Sequence, residues 1–349
     1  MVRIMQKKIE SKKFKTAKGK EFEVSYCTVD SGKPGPTLAL LAGQHGMEHI
    51  GPVVLKDFAK EIENLDFCGK INICPCANPM ALEIDYEFYP ENEDLNKINE
   101  YFYSRFRHTY CIWGMERAKG INWYNMNRLW NREEIHGVAG EITQWLWKSM
   151  VKAANVTIDF HCLQDDKPLI FNWDKDSEKI AKFFGIEAIY PHAAADEFNK
   201  GNLGYQASNG DRYAFCVEFS TQHAYKDEFG LGREGILNVM KGTGMMDGDV
   251  ILKRPVYVVR KHHFMKTEAT GHIHCKLNEY DPVKKGDLIC EITSLQNFET
   301  LDRIYSPVDG VVAKRNHAPI SKKDVCLFQI LEVDVLAEAN TNLKKEKVI

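Results

Sequence analysis

Apolar and β-branched residues gather into five short runs over the first 220 positions: TLALLAG (37–43), KINICPCA (70–77), VTIDFH (156–161), PLIFNW (168–173) and YAFCVEFS (213–220). Runs of this length predict strands. Apolar residues recur at helical spacing in GPVVLKDFAKEIENL (51–65), EEIHGVAGEITQWLWKSMVKAA (133–154) and LGREGILNVMKGTGMM (231–246). Strands alternating with helices predict an α/β domain over residues 1–249, with a largely parallel, mixed central sheet.

Beyond residue 249 the pattern changes. DPVKKGDLICEI (281–292) and IYSPVDGVVAKRN (304–316) read as short strands broken by Gly, Pro and Asp turns, with no convincing helix. They predict a small all-β, barrel-sandwich-like domain over 250–349, ending in a polar tail, EANTNLKKEKVI (338–349), expected to fray. Residues 81–115, aromatic and charged, read as an insertion between core elements. The SPVDGVV hairpin is of the kind found in biotinyl and lipoyl carriers. The segment after KKGDLICEI, however, is TSLQNFET and offers no lysine to modify, so a carrier function is set aside.

Composition and charge add mainly exclusions. A net charge of -3 lacks the overall basic field of a nucleic-acid binder. The first twenty residues hold eight Lys or Arg, but no apolar segment follows, so they read as a solvated basic arm and not as a secretory signal. The longest apolar run falls well short of the roughly 20 residues a membrane helix requires. Ten cysteines in a chain this long, without a signal sequence, point to reduced thiols in the cytoplasm. Cys74, Cys76, Cys162 and Cys216 lie in strand-like runs and read as small buried hydrophobes.

Against that background a few polar residues stand out. LLAGQHGMEHIGP (40–52) sets His45 and Glu48 three apart, between a strand and a helix. Two His and one Glu are a common catalytic zinc set that leaves a fourth position open, and His161, at the end of VTIDFH, offers the third ligand. The alternative is a polar turn. Glu218 interrupts the apolar run YAFCVEFS, where a carboxylate without a partner is costly, so it has either a catalytic task or a cationic partner. Asn127 and Arg128 pair an amide with a guanidinium, which suits a carboxylate clamp or a salt bridge. His272 and His274 share a strand face, but no neighbouring Cys or carboxylate completes a metal set, so they read as surface residues.

The order of these motifs resembles the succinylglutamate desuccinylase/aspartoacylase family, a branch of the zinc carboxypeptidases. Gly-x-His-Gly-x-Glu (43–48) is followed by Asn78-Pro79, an Arg upstream of Asn125-Met126-Asn127-Arg128, Asp-x-His (159–161) and a strand Glu. The resemblance runs over about residues 36–330. It departs where members often carry Asp-Leu-Asn-Arg followed by Phe-Pro-Gly, since this chain has Asn125-Met126-Asn127-Arg128 followed by Leu129-Trp130-Asn131.

The resemblance implies one zinc per chain held by His45, Glu48 and His161, with Glu218 as general base. It also implies Arg117 as the residue polarising the carbonyl, with Arg105 and Arg107 as rivals, and Asn127 and Arg128 as substrate binders. The implied activity is zinc-dependent hydrolysis of an amide, deacylating a small N-acyl amine that carries a carboxylate. A carboxypeptidase and a non-catalytic metal-binding or sensing module are the alternatives. Neither a nucleic acid nor a membrane is an expected partner, and whether the chain forms a homo-oligomer is left open.

Overall fold

The computed structural model describes residues 5–16, 19–83, 125–135, 137–163, 167–192, 199–220, 228–313, 319–323 and 325–348. The 81–115 segment, apart from its first three residues, lies outside this set, as do Arg105, Arg107 and Arg117.

All five strand runs form strands. In chain order the first unit contains β1 (Gln6–Lys15), β2 (Glu21–Asp30), β3 (Thr37–Ala42), β4 (Lys70–Cys74), β5 (Val156–Cys162), β6 (Leu169–Asn172), β7 (Ala188–Pro191) and β8 (Tyr213–Phe219). Its helices are α1 (Ile50–Glu61), α2 (Pro79–Glu83), α3 (Gly137–Leu146), α4 (Lys175–Ala181), α5 (Leu203–Ala207) and α6 (Glu228–Gly242). The strands β4, β3, β5 and β8 lie side by side and parallel, while β2 and β6 flank them antiparallel.

The sheet is covered on both faces. One face packs Leu38, Leu40, Phe160, Phe215 and Val217 against α1 and α6. The other sets Ala39, Leu41 and Ala214 against Trp130 and the α3 residues Ile142 and Leu146. Burial on both sides explains why these strands read as continuous apolar runs with no wet face.

The basic N-terminal stretch is not a solvated arm. It forms β1, paired antiparallel with β2 at the sheet edge, and most of its side chains point to solvent. Lysines on an edge strand discourage pairing with another chain, so the charge has a structural use that composition did not reveal.

After residue 250 come β9 (Val256–Met265), β10 (His272–Cys275), β11 (Pro282–Val283), β12 (Leu288–Thr293), β13 (Thr300–Tyr305), β14 (Gly310–Ala313) and β15 (Phe328–Ala337). No helix occurs among the described residues there. The strands β10, β12 and β13 make a separate small sheet, whose Ile289, Ile292 and Ile304 share an apolar cluster with Val312 of β14 and Phe328 and Ile330 of β15. Strand β9 pairs with both β7 and β15, so one sheet continues from the α/β part into the β-rich part.

The polar tail does not fray. Val348 is buried in the main core, the Leu343 N–H donates to Val250 O, and the Glu346 N–H donates to Gly242 O. Glu346 also pairs with Lys182 at 2.7 Å, while the tail's lysines stay exposed. No described helix is long and apolar enough to cross a membrane.

Candidate metal centre and active site

The site forms where β3, β5 and β8 end, the edge at which parallel sheets usually present functional groups. Gly43 closes β3 with a φ of +68°, and a Cβ there would come within 3.0 Å of the Cys76 backbone. Only glycine takes this turn without strain, and the turn carries Gln44 and His45 across the strand ends. α1 then begins at Ile50, leaving Glu48 at its mouth.

Register supplies the rest. Asp159 of β5 pairs with Leu41 of β3 and with Cys216 of β8, and His161 pairs with Glu218. Residues paired in register share a face and strand side chains alternate, so Asp159, His161, Cys216 and Glu218 all project from the Leu41 side of the sheet. That placement gathers three polar side chains and a thiol on one face of apolar strands.

His45, Glu48 and His161 come together in the fold. Their ligand atoms lie within 4.8 Å of one another, and all three side chains are buried. Glu48 bridges the two rings, with Oε1 3.0 Å from His45 Nδ1 and Oε2 3.1 Å from His161 Nδ1. The rings meet edge to face at 5.0 Å between centroids. Each ring is backed at Nε2: His161 by Asp159 Oδ2 at 2.9 Å, and His45 by Asn125 Oδ1 at 3.2 Å. Two imidazoles that turn the same kind of nitrogen inward, each with an oxygen acceptor behind it, make the donor set expected of a zinc site with its outer hydrogen bonds.

A second group, Asp159, His161 and Cys216, is also close enough to hold a metal, but it shares His161. Both Asp159 oxygens already accept from the Gln44 amide, at 2.9 and 2.8 Å, and one also meets His161. These contacts make that group the backing of the first.

Charge in the metal-free site follows from burial. Burial favours the neutral form of Glu48, but His45 and His161 outweigh it and hold the carboxyl at about 2. Burial likewise opposes charge on His161, yet Asp159 and Glu48 raise it well above the usual histidine range. Glu218 moves the other way. Burial, together with repulsion from Glu48, lifts it to about 8 against the pull of His161 and His45. Its Oε1 accepts from the Cys216 thiol at 3.5 Å, while Oε2 has no hydrogen-bond partner among the described residues. A buried carboxyl with one oxygen held and the other bare is poised to take or give a proton.

Asn127 and Arg128 are buried beside this centre and do not form a surface pair. The Asn127 amide nitrogen lies 3.3 Å from His161 Nε2, and Arg128 Nη1 donates to the Asn127 carbonyl at 2.7 Å. The backbone of Arg128 is fitted against Gly201, where a Cβ would fall 1.7 Å from the Arg128 carbonyl oxygen. In the C-terminal sheet, His272 and His274 form an exposed hydrogen-bonded pair remote in the chain from this centre.

Several residues of the site were not assigned roles from sequence: Gln44, Asn78, Asn125, Trp130 and Asp159; Cys216, read as a small buried hydrophobe, is buried and also donates to Glu218. Asn78 donates to the Gln44 carbonyl at 3.2 Å, bracing the turn. Asp159 carried the same signal as Glu218, a carboxylate in an apolar strand, and it stands two residues from His161. For Gln44 and Trp130 no local signal exists, because their value lies in each other.

Comparisons with known proteins agree with this architecture. The sequence model of the succinylglutamate desuccinylase/aspartoacylase catalytic domain matches residues 34–242. A succinylglutamate desuccinylase/aspartoacylase structure from Rhodobacter sphaeroides superposes with a TM-score of 0.64 at 15% identity, covering 95% of this chain and 96% of that one. The product-bound ectoine utilization protein EutE from Ruegeria pomeroyi gives 0.61 at 17%, covering 94% of each. An aspartoacylase family protein from Mesorhizobium loti gives 0.61 at 16%, covering 95% and 96%. At such identities the superpositions speak for the fold. No curated protein sequence matches the chain.

Proposed function

The chain belongs to the succinylglutamate desuccinylase/aspartoacylase family, and from that premise we propose that it is a zinc-dependent hydrolase deacylating a small N-acyl amino acid or related N-acyl amine. The observation that carries this reading is the buried His45–Glu48–His161 group with Glu218 opposite His161 in the sheet.

When bound, the metal supplies Lewis acidity that activates water and polarises the amide carbonyl. The chain's own groups do the remaining work. Glu218 accepts the proton of the attacking water on its bare oxygen and later returns it to the departing amine nitrogen. Arg117, assigned by its motif alone, stabilises the developing oxyanion. Asn127 and Arg128 hold the substrate carboxylate and fix the register of attack. Asp159 and Asn125 keep the two imidazoles oriented.

The test has two parts. Elemental analysis of purified protein should give about one zinc per chain. Panels of N-acyl amino acids and short peptides, followed by mass spectrometry of the products, should then show release of the acyl group. Release of C-terminal residues from peptides with N-acyl amino acids untouched would make the protein a carboxypeptidase instead. A chain that binds zinc and hydrolyses neither would be a binding module.

A further inference from the structure

Three groups surround the Nε2 atom of His161: the Asp159 carboxylate at 2.9 Å and the amide nitrogens of Gln44 and Asn127, each at 3.3 Å. Which of them is an acceptor decides where an Nε2 proton points. The orientation of both amides is set from further out. The indole N–H of fully buried Trp130, which can only donate, points at Gln44 Oε1 from 2.7 Å. That contact fixes the Gln44 oxygen on the indole side and turns its NH₂ toward Asp159. The Leu203 N–H donates to Asn127 Oδ1 at 2.9 Å, which turns that NH₂ toward the ring. Asp159 is therefore the one acceptor of the three. With Nδ1 on the Glu48 side given to a metal, the ring N–H would sit on Nε2, and Asp159 at 2.9 Å is placed to accept it.

We infer that Trp130 and Gln44 are positioning residues for the metal centre, forming a relay from Trp130 through Gln44 and Asp159 to His161 that holds the ring with Nδ1 turned to the Glu48 side. This rests on the metal-centre reading above. It adds that residues making no contact with metal or substrate orient the ligand's ring, by aiming the carboxylate that backs Nε2. The segment from Asn125 to Trp130 thereby serves both imidazoles, with Asn125 behind His45 and Trp130 behind His161 through Gln44.

Trp130→Phe keeps an aromatic ring and removes the donor together with some buried volume. Gln44→Leu keeps similar bulk and removes the amide. In metal-free protein labelled with ¹⁵N-histidine, the wild type should show a downfield, slowly exchanging imidazole N–H that disappears in His161→Ala. In Trp130→Phe and Gln44→Leu that signal should broaden or vanish, and zinc affinity by chelator competition should fall about tenfold, the lower end of the loss usual for outer partners of metal ligands. Thermal melts of each variant separate this from loss of folding, and either variant alone suffices if the other fails to fold. An unchanged N–H signal with unchanged zinc affinity in a folded variant overturns the relay. A wild type that shows the N–H signal but binds no zinc overturns the proposed function while the relay stands.

Discussion

Glu218 stands directly opposite His161 in the parallel pairing of β5 with β8. Sheet register brings the two together, and the same register puts Cys216 opposite Asp159. A one-residue slip of β8 would send Glu218 to the face occupied by α1 and α6 and remove its carboxyl from the site. Both strands of this pairing are buried almost throughout.

Replacing Glu218 by Gln should leave zinc content unchanged and lower kcat by about 10² to 10⁴, the usual worth of a general base. Gln keeps the shape and cannot take the proton. Near-normal turnover in a steady-state assay would place the base elsewhere.

His45→Ala and His161→Ala should each lose zinc together with activity, because a two-His, one-Glu set cannot keep its geometry with a ligand missing. Elemental analysis is the check. Full zinc occupancy in His161→Ala would refute the ligand assignment.

The metal-free protein should lose stability as pH rises from about 5 to 8. Glu218 binds its proton up to about 8 when folded, whereas an ordinary Glu releases it near 4.5, so over that interval the folded state holds the extra proton. His161, raised above its ordinary value, acts in the same direction above about pH 6.5. Glu48 acts oppositely, but its stabilisation is lost only as pH falls below 4.5 towards about 2. Melting temperatures measured with a chelator present should therefore decline from pH 5 to 8, and Glu218→Gln should flatten much of that decline. An equally steep decline in the variant would contradict the raised Glu218.

Arg128→Ala should reduce kcat/KM for a carboxylate substrate by the roughly 1.5 to 3 kcal/mol of a charge-assisted hydrogen bond, and should affect the corresponding neutral amide far less. Arg128→Lys should recover only part, since an ammonium lacks the planar fork. Equal losses on acid and amide would assign Arg128 to the fold.

Truncation after Ala339 should destabilise the protein, because Val348 is buried in the main core and the tail closes several backbone hydrogen bonds. Full burial of one valine is worth about 1.5 to 3 kcal/mol. Urea denaturation would register the loss as a lower midpoint, and an unshifted midpoint would show the tail to be dispensable.

The sequence by itself determined the alternation of strands and helices, since strands buried on both faces must be written as apolar runs, and it exposed Glu218 as a carboxylate where none is tolerated without reason. It also presented His45 and Glu48 as a local pair. The N-terminal lysines and the polar tail misled for one physical reason: an edge strand and a terminal strap bury few side chains and hold themselves by backbone hydrogen bonds, which leave no hydrophobic signature. What only the tertiary structure decided was partnership. Sheet register set Glu218 against His161, and side-chain hydrogen bonds set Trp130 on Gln44, Gln44 on Asp159, and Asn125 behind His45. A hydrogen bond between residues far apart in the chain constrains no local pattern, so those residues could acquire their roles only once the sheet had brought them together.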